Sequence, residues 1–367
     1  MTALTPEHII DALRTVNDPD LNRDLVSLNM VKNAEISGKV VKITVELTTP
    51  ACPLKDKIRA DIEKAVVSKA NSLGAPLPSI DVTFTADVRS AQERAADKVS
   101  PLPGVKNIIA VGAGKGGVGK STVAVNLAVG LARFGAKTGL LDADIYGPSL
   151  PTMLGLTHAE VMVKGNMIQP FESNGIKAMT IGKLVEPEKP LIWRGPMAHG
   201  AFRQLATQTE WGDLDYLIID LPPGTGDVSL TMSQLLPLAG AVVVCTPQRV
   251  AQDDARRAIR MFEQLGVPIL GVVENMSSFF CEHGTEYDIF GKGGAEEMAR
   301  DMNVPFLGAV PIVPKLRENS DEGLASANFE GGGPLPKALT TMVQNVAAQV
   351  SMTRHRNMVA RPTISIS

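Results

Sequence analysis

Gly112-Ala113-Gly114-Lys115-Gly116-Gly117-Val118-Gly119-Lys120-Ser121-Thr122 is the stretch that decides the fold. An apolar run, 105–111, leads into it and reads as a buried strand. Beyond it, Val123, Leu127 and Leu131 fall on one helical face, with Ala124 and Ala128 beside them. Gly114 to Ser121 fits G-x-x-x-x-G-K-[ST] in the strand–loop–helix setting that a phosphate-binding loop requires. Its glycines let successive backbone N–H groups turn inward around an anion, and the helix N-terminus adds its positive end. Gly114, Lys115, Gly116, Gly117, Val118, Gly119, Lys120, Ser121 and Thr122 are therefore expected to bind ATP. Lys120 would meet the β/γ-phosphates and the Ser121 hydroxyl would ligate Mg²⁺.

Around this loop, strands alternate with helices. Strands are expected at 108–111, 138–141, 214–219, 241–246, 269–273 and 306–310, and helices at 120–134, 230–236, 251–265, 294–302 and 335–351. Several of the strands are near-continuous apolar runs, as befits strands covered on both faces. The expected class is α/β: a P-loop NTPase domain over 105–352, with a mostly parallel sheet and helices on both faces. The segment 158–190 breaks the alternation and reads as an inserted hairpin region. From Thr353 to Ser367 periodicity fades into a tail expected to be flexible. A small α+β domain precedes all this, over 1–88. Thr5 caps a helix with Pro6 at its first position and His8 at its third, strands follow at 30–36 and 40–47, then a helix at 55–71 and a strand at 80–85. Residues 89–104 read as a linker, with a helical portion at 91–98 and Pro101-Leu102-Pro103-Gly104 as its stop.

The chain has 367 residues, 44% hydrophobic and 20% charged, room for two domains of ordinary globular composition. A net charge of −3 without a long basic block gives no reason to expect a nucleic-acid partner. Cys52, Cys245 and Cys281 are too few and too scattered for a disulfide framework, so a reducing cytoplasm is the expected compartment. Glu7, Asp11, Asp18 and Asp20 make the first residues too acidic for a targeting peptide, and no apolar run approaches a membrane span. Stable membrane association is not expected.

In such a sheet, functional residues gather at the carboxyl ends of the strands. Two acidic runs fall there beside the phosphate loop: Asp142-Ala143-Asp144, and Asp220-Leu221-Pro222-Pro223-Gly224-Thr225-Gly226-Asp227. A carboxylate ending an apolar strand needs a cation or donors. Asp220 is assigned to the Mg²⁺ shell, and Asp144 to orienting the attacking water. Arg256, Arg257 and Arg260 read as a solvated face paired with Asp253 and Asp254, and Cys245, inside an apolar strand, as core.

The Lys115 variant of the loop, Asp142-x-Asp144 and Asp220-Leu-Pro-Pro-Gly together resemble the deviant-Walker ATPases. Trp193-Arg194-Gly195-Pro196-Met197, Thr246-Pro247-Gln248, Glu274-Asn275-Met276-Ser277 and Ile289-Phe290-Gly291-Lys292-Gly293-Gly294 narrow the resemblance to the Mrp/ApbC-type iron–sulfur cluster carriers. The small N-terminal domain, with Thr48-x-x-x-Cys52-Pro53-Leu54, is similar to the iron–sulfur-assembly domain often fused to them. The resemblance implies a homodimer that hydrolyses ATP, with Lys115, Lys120 and Asp144 catalytic. Lys115 would reach the nucleotide of the other subunit, and Asn275 would meet adenine. It also implies a [4Fe-4S] cluster bridging the dimer, and iron–sulfur scaffold or client apoproteins as partners.

One departure bears on the cargo. The family carries Cys-x-x-Cys after the Asn-Met-Ser motif, whereas this chain reads Ser278-Phe279-Phe280-Cys281-Glu282-His283-Gly284. A four-iron cluster takes four thiolates, and two copies of Cys281 supply two, unless His283 or an external thiol completes the set. Cys52 is a second candidate for transient metal or cluster. It lies before a helix whose N–H dipoles are expected to lower its pKa, and its bland alternative is a small buried hydrophobe. Two other readings stand beside the carrier. One is a positioning or partition ATPase acting on membrane or DNA, which the charge and the absence of an apolar stripe after Thr353 disfavour. The other is a metal-free, nucleotide-switched scaffold.

Overall fold

A reciprocal cap opens the first helix. His8 N donates to Thr5 Oγ1 and Thr5 N donates to His8 Nδ1, both at 3.3 Å, which satisfies two amide groups that helix α1, Pro6–Leu13, would leave orphaned. The computed structural model describes residues 4–38, 40–88, 101–144, 147–183, 195–224, 232–281 and 283–359. The chain divides into two units, Met1–Val88 with Arg354–Ser367, and Arg89–Thr353.

In the first unit, a minor pair β1 (Asn17–Asp18) and β2 (Arg23–Asp24) follows α1. Strands β3 (Val31–Ser37) and β4 (Val40–Leu47) form an antiparallel hairpin, helix α2 (Lys55–Ser72) crosses over, and β5 (Ser79–Ala86) lies parallel to β4. Alternate residues of β4 (Val41, Ile43, Val45 and Leu47) meet Ile58, Ile62 and Val66 of α2 and Ile9 and Leu13 of α1 in one core. Each such side chain, fully buried, contributes about 1.5–3 kcal/mol over exposure.

The second unit is built on a nine-stranded sheet. Its strands are β6 (Val105–Gly112), β7 (Thr138–Asp142), β10 (Phe171–Ser173), β11 (Ile176–Thr180), β12 (Leu214–Asp220), β13 (Leu238–Cys245), β14 (Ile269–Phe280), β15 (Glu286–Tyr287) and β16 (Phe306–Ile312). They run in the order β10-β11-β7-β12-β6-β13-β14-β15, with β16 on β14. The pairings from β11 through β14 and on to β16 are parallel, and only the short β10 and β15 are antiparallel. Strands β8 (Val163–Lys164) and β9 (Met167–Ile168) make a separate hairpin. The helices are α3 (Lys120–Arg133), α4 (Leu150–Met153), α5 (Gly195–Gln208), α6 (Arg249–Gln264), α7 (Gly294–Asp301), α8 (Pro314–Asp321) and α9 (Pro334–Val359), the last counted with this unit as far as Thr353. Strand β6 is central and buried along nearly all its length, with Asn107 as a polar side chain among its apolar ones, so the loop that follows it emerges at mid-sheet.

Three features differ from the sequence reading. The expected inserted hairpin region, 158–190, supplies a true sheet strand, because β11 pairs parallel with β7. Strand β14 runs seven residues past its expected end at 273, to Phe280. The tail expected to fray from Thr353 is helical to Val359, within α9. Of the helix expected at 230–236, residues 232–235 are helical and 230–231 lie outside the described residues. So do the helical portion expected at 91–98, and the runs 145–146, 184–194 and 225–231, which include Trp193, Arg194 and Asp227.

A chain of buried amides ties α3 to the C-terminal part of this unit. Asn319 Nδ2 donates to Asn328 Oδ1, Asn328 Nδ2 to Asn126 Oδ1, and Asn126 Nδ2 to the carbonyl of Thr122, at 2.8–2.9 Å. All three side chains are essentially solvent-free, so the bonds form in a low dielectric where leaving one unmade is costly.

Candidate functional site

The phosphate loop is held from two sides by close backbone packing. A Cβ at Gly114 would lie 2.1 Å from the carbonyl oxygen of Asp254 in α6. Gly119 has φ +78°, and a Cβ there would lie 2.1 Å from Asn275 Nδ2. Asn275 donates that amide to the carbonyl of Val118 at 2.9 Å. The loop's neighbours are joined to it by backbone bonds at the strand ends. Leu221 N donates to Val111 O, Gly224 N to Ala113 O, and Ala143 N to Asp220 O, at 2.9–3.1 Å.

This fan of strand ends brings three carboxylates to one ammonium. Lys120 is buried, its Nζ 2.5 Å from Asp220 Oδ1, 3.9 Å from Asp144 Oδ2 and 3.3 Å from Ser121 Oγ. Asp142 and Asp220 are register partners on adjacent parallel strands, both fully buried. Burial pushes the pKa of both up. For Asp220 the Lys120 ammonium opposes the rise. For Asp142 the neighbouring Asp220 adds to it, and the value reaches about 7. Asp142 also has a positioning task that the sequence did not reveal. Its Oδ1 accepts from the backbone N of Asp144 at 3.0 Å, and its Oδ2 accepts from Thr180 Oγ1 at 3.0 Å. The strand missed in the sequence, β11, thus helps to fix Asp144.

A carboxyl whose pKa is higher folded than unfolded stabilises the fold fully in acid and loses that contribution as pH rises through its folded value. For Asp142 the loss falls between about pH 4 and about 7. Asp142→Asn is therefore expected to flatten the decline of the nucleotide-free unfolding midpoint across this window, read by thermal melts. An equally steep decline in the variant would assign the slope to other groups.

The donor set suits a hard divalent cation. Asp220 Oδ2 is buried with no hydrogen-bond partner among the described residues, and the Ser121 hydroxyl, which accepts from Lys120 Nζ at 3.3 Å, lies beside the same carboxylate. A carboxylate oxygen and a hydroxyl, with phosphate oxygens and water, make the kind of shell Mg²⁺ takes. Lys115 is half-buried, and among the described residues its ammonium has no ion-pair partner.

The thiols divide by environment. Cys281 follows β14 at a tight turn, where Cys281 N donates to Thr285 O and Gly284 N to Cys281 O. Backbone hydrogen bonding from His283 leads the causes that lower its pKa. Cys52 is the reverse of the expectation. Burial pushes its thiol up to about 11, with Asp18 and Asp20 adding to the rise. Its bond with the Leu54 backbone lowers it by less, and α2 begins only at Lys55. A helix end acts locally, whereas desolvation is set by the whole core. Cys245 is core, raised to about 12. Among the described residues, no group of three or more His, Cys, Asp or Glu side chains is placed to hold a metal ion. On α6, Arg257 pairs with Asp254 as expected, while Arg256 pairs with Asp301 of α7. No helix among the described residues is long and apolar enough to cross a membrane.

Comparison with known proteins fits this geometry. The family described as NUBPL iron-transfer P-loop NTPase matches residues 104–347, and one described as iron–sulfur cluster assembly protein matches residues 6–71. An iron–sulfur cluster carrier protein of Synechocystis is 48% identical over 355 residues, spanning 95% of this chain and 99% of the relative. One of Deinococcus radiodurans is 46% identical, spanning 94% and 95%. A nucleotide-binding protein of Archaeoglobus fulgidus, solved in complex with ADP, is 41% identical with a TM-score of 0.56, covering 63% of this chain and 91% of its own. The Pyrococcus furiosus cell-division ATPase MinD, 22% identical with a TM-score of 0.51 over 65% of this chain and 98% of its own, shares the fold. With a family match across most of its length and relatives aligned nearly end to end, this chain belongs to the iron-transfer P-loop NTPases and carries an iron–sulfur cluster assembly domain ahead of the nucleotide fold.

Proposed function

We propose that the chain is an ATP-hydrolysing carrier in iron–sulfur cluster assembly, working as a homodimer whose nucleotide state is coupled to cluster or client binding. The observation that carries the ATPase part is the meeting of Lys120, Asp144 and Asp220, with its orphaned oxygen, at the phosphate loop. In the nucleotide complex Lys120 exchanges its carboxylate partners for the β/γ-phosphates. Asp144, held through its own backbone by Asp142, accepts a hydrogen bond from the water that attacks the γ-phosphorus. The bond from the γ-phosphorus to the bridging oxygen breaks, and ADP and phosphate leave. Ser121 and Asp220 would hold Mg²⁺, which supplies charge neutralisation on the phosphate oxygens. Lys115, free of an intrachain ion pair among the described residues, supplies a second cation to the partner subunit's nucleotide, as an arginine finger does. Asn275 adds contact to adenine.

The carrier part is supported by the relatives' names and by the thiolate-favouring turn at Cys281. Each subunit contributes one Cys281, and His283 or an external thiol completes the set for a bridging [4Fe-4S] cargo. Cys52, its thiol proton held by burial, takes part only when that proton is displaced. The single cysteine in the Cys281 loop favours one second reading, a metal-free nucleotide-switched scaffold. Anaerobic reconstitution with iron and sulfide separates the two. Wild type and Cys52→Ala are expected to take up a cluster, seen by its visible absorption, and Cys281→Ala is expected not to. Wild type that stays colourless sinks the carrier reading and leaves the scaffold.

A further inference from the structure

Consecutive residues of β14 grip two different parts of the molecule. Glu274 is buried and has both carboxylate oxygens committed: Oε1 accepts from Gly293 N at 3.1 Å and Oε2 from Ala295 N at 2.8 Å, at the start of α7. Asn275, whose side chain leaves the strand on the opposite face, donates to the Val118 carbonyl of the phosphate loop. Met276 then has φ 57°, and it is the one residue among the described non-glycines with positive φ that is not an asparagine. A residue other than Asn, Asp or Gly in this region persists only where its surroundings hold it.

At this point the β14–β16 register slips. Asn275 pairs with Val310, but Phe279 pairs with Ile312, so β14 gains two residues. The strand continues to the turn at Cys281 and returns as β15, with Tyr287 stacked on Phe279 and Lys292 paired with Glu286 at 2.9 Å. It closes back on Glu274 at Gly293. Residues 276–293 therefore form an arm at the end of the sheet with Cys281 at its turn, beginning and ending at one buried carboxylate. That carboxylate adjoins the amide that holds the phosphate loop. The Val118 carbonyl belongs to the same peptide unit as the Gly119 N–H, one of the groups the loop would offer to phosphate. Engaging that N–H polarises the unit and strengthens the bond to Asn275. The Asn275–Val118 bond is the contact through which a bound nucleotide would bias the arm.

We infer that Glu274 and Asn275 are positioning residues that hinge the Cys281 arm on the phosphate loop, with Met276 as the bend, so that bound nucleotide sets the accessibility of the Cys281 thiol. This rests on the nucleotide-coupled carrier reading and names the route of its coupling. The test is alkylation of cluster-free protein by iodoacetamide, followed at the Cys281 peptide by mass spectrometry, with no nucleotide, with ADP·Mg²⁺ and with a non-hydrolysable ATP analogue. In wild type the Cys281 rate is expected to change on the order of fivefold or more with nucleotide. Met276→Val, whose β-branched side chain opposes positive φ, is expected to bind a fluorescent ADP analogue and lose the response, while Met276→Gly keeps it. Glu274→Gln, which gives up one of its two backbone bonds, is expected to shrink the response, and it carries the test if the valine variant does not fold. A response retained in full by Met276→Val and Glu274→Gln overturns the inference. A wild-type Cys281 rate that ignores nucleotide, while ATP still alters cluster transfer to an apoprotein, overturns it alone. If transfer ignores ATP as well, the coupled reading beneath it falls too.

Discussion

Lys120→Ala is expected to abolish ATP turnover, lowering it by about a thousandfold in a phosphate-release assay. The ammonium is the only cation within ion-pair distance of Asp144 and Asp220 among the described residues, and Asp142 also feels its charge. Its loss does two things at once. The loop keeps its N–H groups but gives up the fixed charge that meets the phosphates. Asp220 and Asp142 lose the charge that opposes their rise in pKa, so they take up protons more readily in the free protein. The second effect has its own signature: the nucleotide-free variant should lose more stability at alkaline pH than at acid pH, because only the ionised carboxylates miss their partner. Turnover within about tenfold of wild type would remove Lys120 from the chemistry altogether.

Gly114→Ala is expected to be the most damaging single-methyl change in the loop. The added carbon would sit 2.1 Å from the oxygen and 2.2 Å from the carbon of the Asp254 carbonyl. Asp254 lies inside α6, where its backbone is held by the helix's own bonds, so the neighbour cannot swing aside as a side-chain tip would. Either α6 or the loop must withdraw. Overpacking of this kind costs about 1–3 kcal/mol, enough to lower the unfolding midpoint of a unit this size by about 5 °C. Affinity for ADP should fall with it. Gly116→Ala is the matched control for stability, since its added carbon meets only Pro223 Cβ at 3.9 Å, and its midpoint should stay at the wild-type value. If Gly114→Ala melts with it, the close approach of α6 does not shape the loop.

Much of the nucleotide site was legible because its signals are local. A glycine loop between a β run and an apolar helix face is visible within twenty or so consecutive residues, and carboxylates that end buried strands demand a cation or donors close by. What escaped reading depends on partners distant in sequence. Ile176–Thr180 is short and interrupted by Lys177, and only its pairing with β7 makes it a strand of the main sheet. Asn275-Met276-Ser277-Ser278 is polar enough to read as a loop, yet Ser277 and Ser278 are buried in a strand that survives by slipping register. Asp142 was visible as one half of an acidic pair. Its grip on Asp144 was not, because Thr180, which holds its other oxygen, belongs to the missed strand. The reversal at Cys52 has the same origin. A helix start can be seen in sequence, but the depth of burial beside it cannot.

The amide chain through Asn126, Asn328 and Asn319 has a consequence for biosynthesis. Asn126 leaves the ribosome 202 residues ahead of Asn328, and its acceptor at Thr122 earlier still. At roughly 5–20 residues per second, the helix that carries the phosphate loop waits about 10–40 s for the side chain that satisfies its buried amide. Through that interval a nascent chain displays the whole nucleotide motif without its interior support. A ribosome-bound chain ending before Asn319 should therefore expose α3 to proteases and chaperones, and the released chain should close over it in one late step.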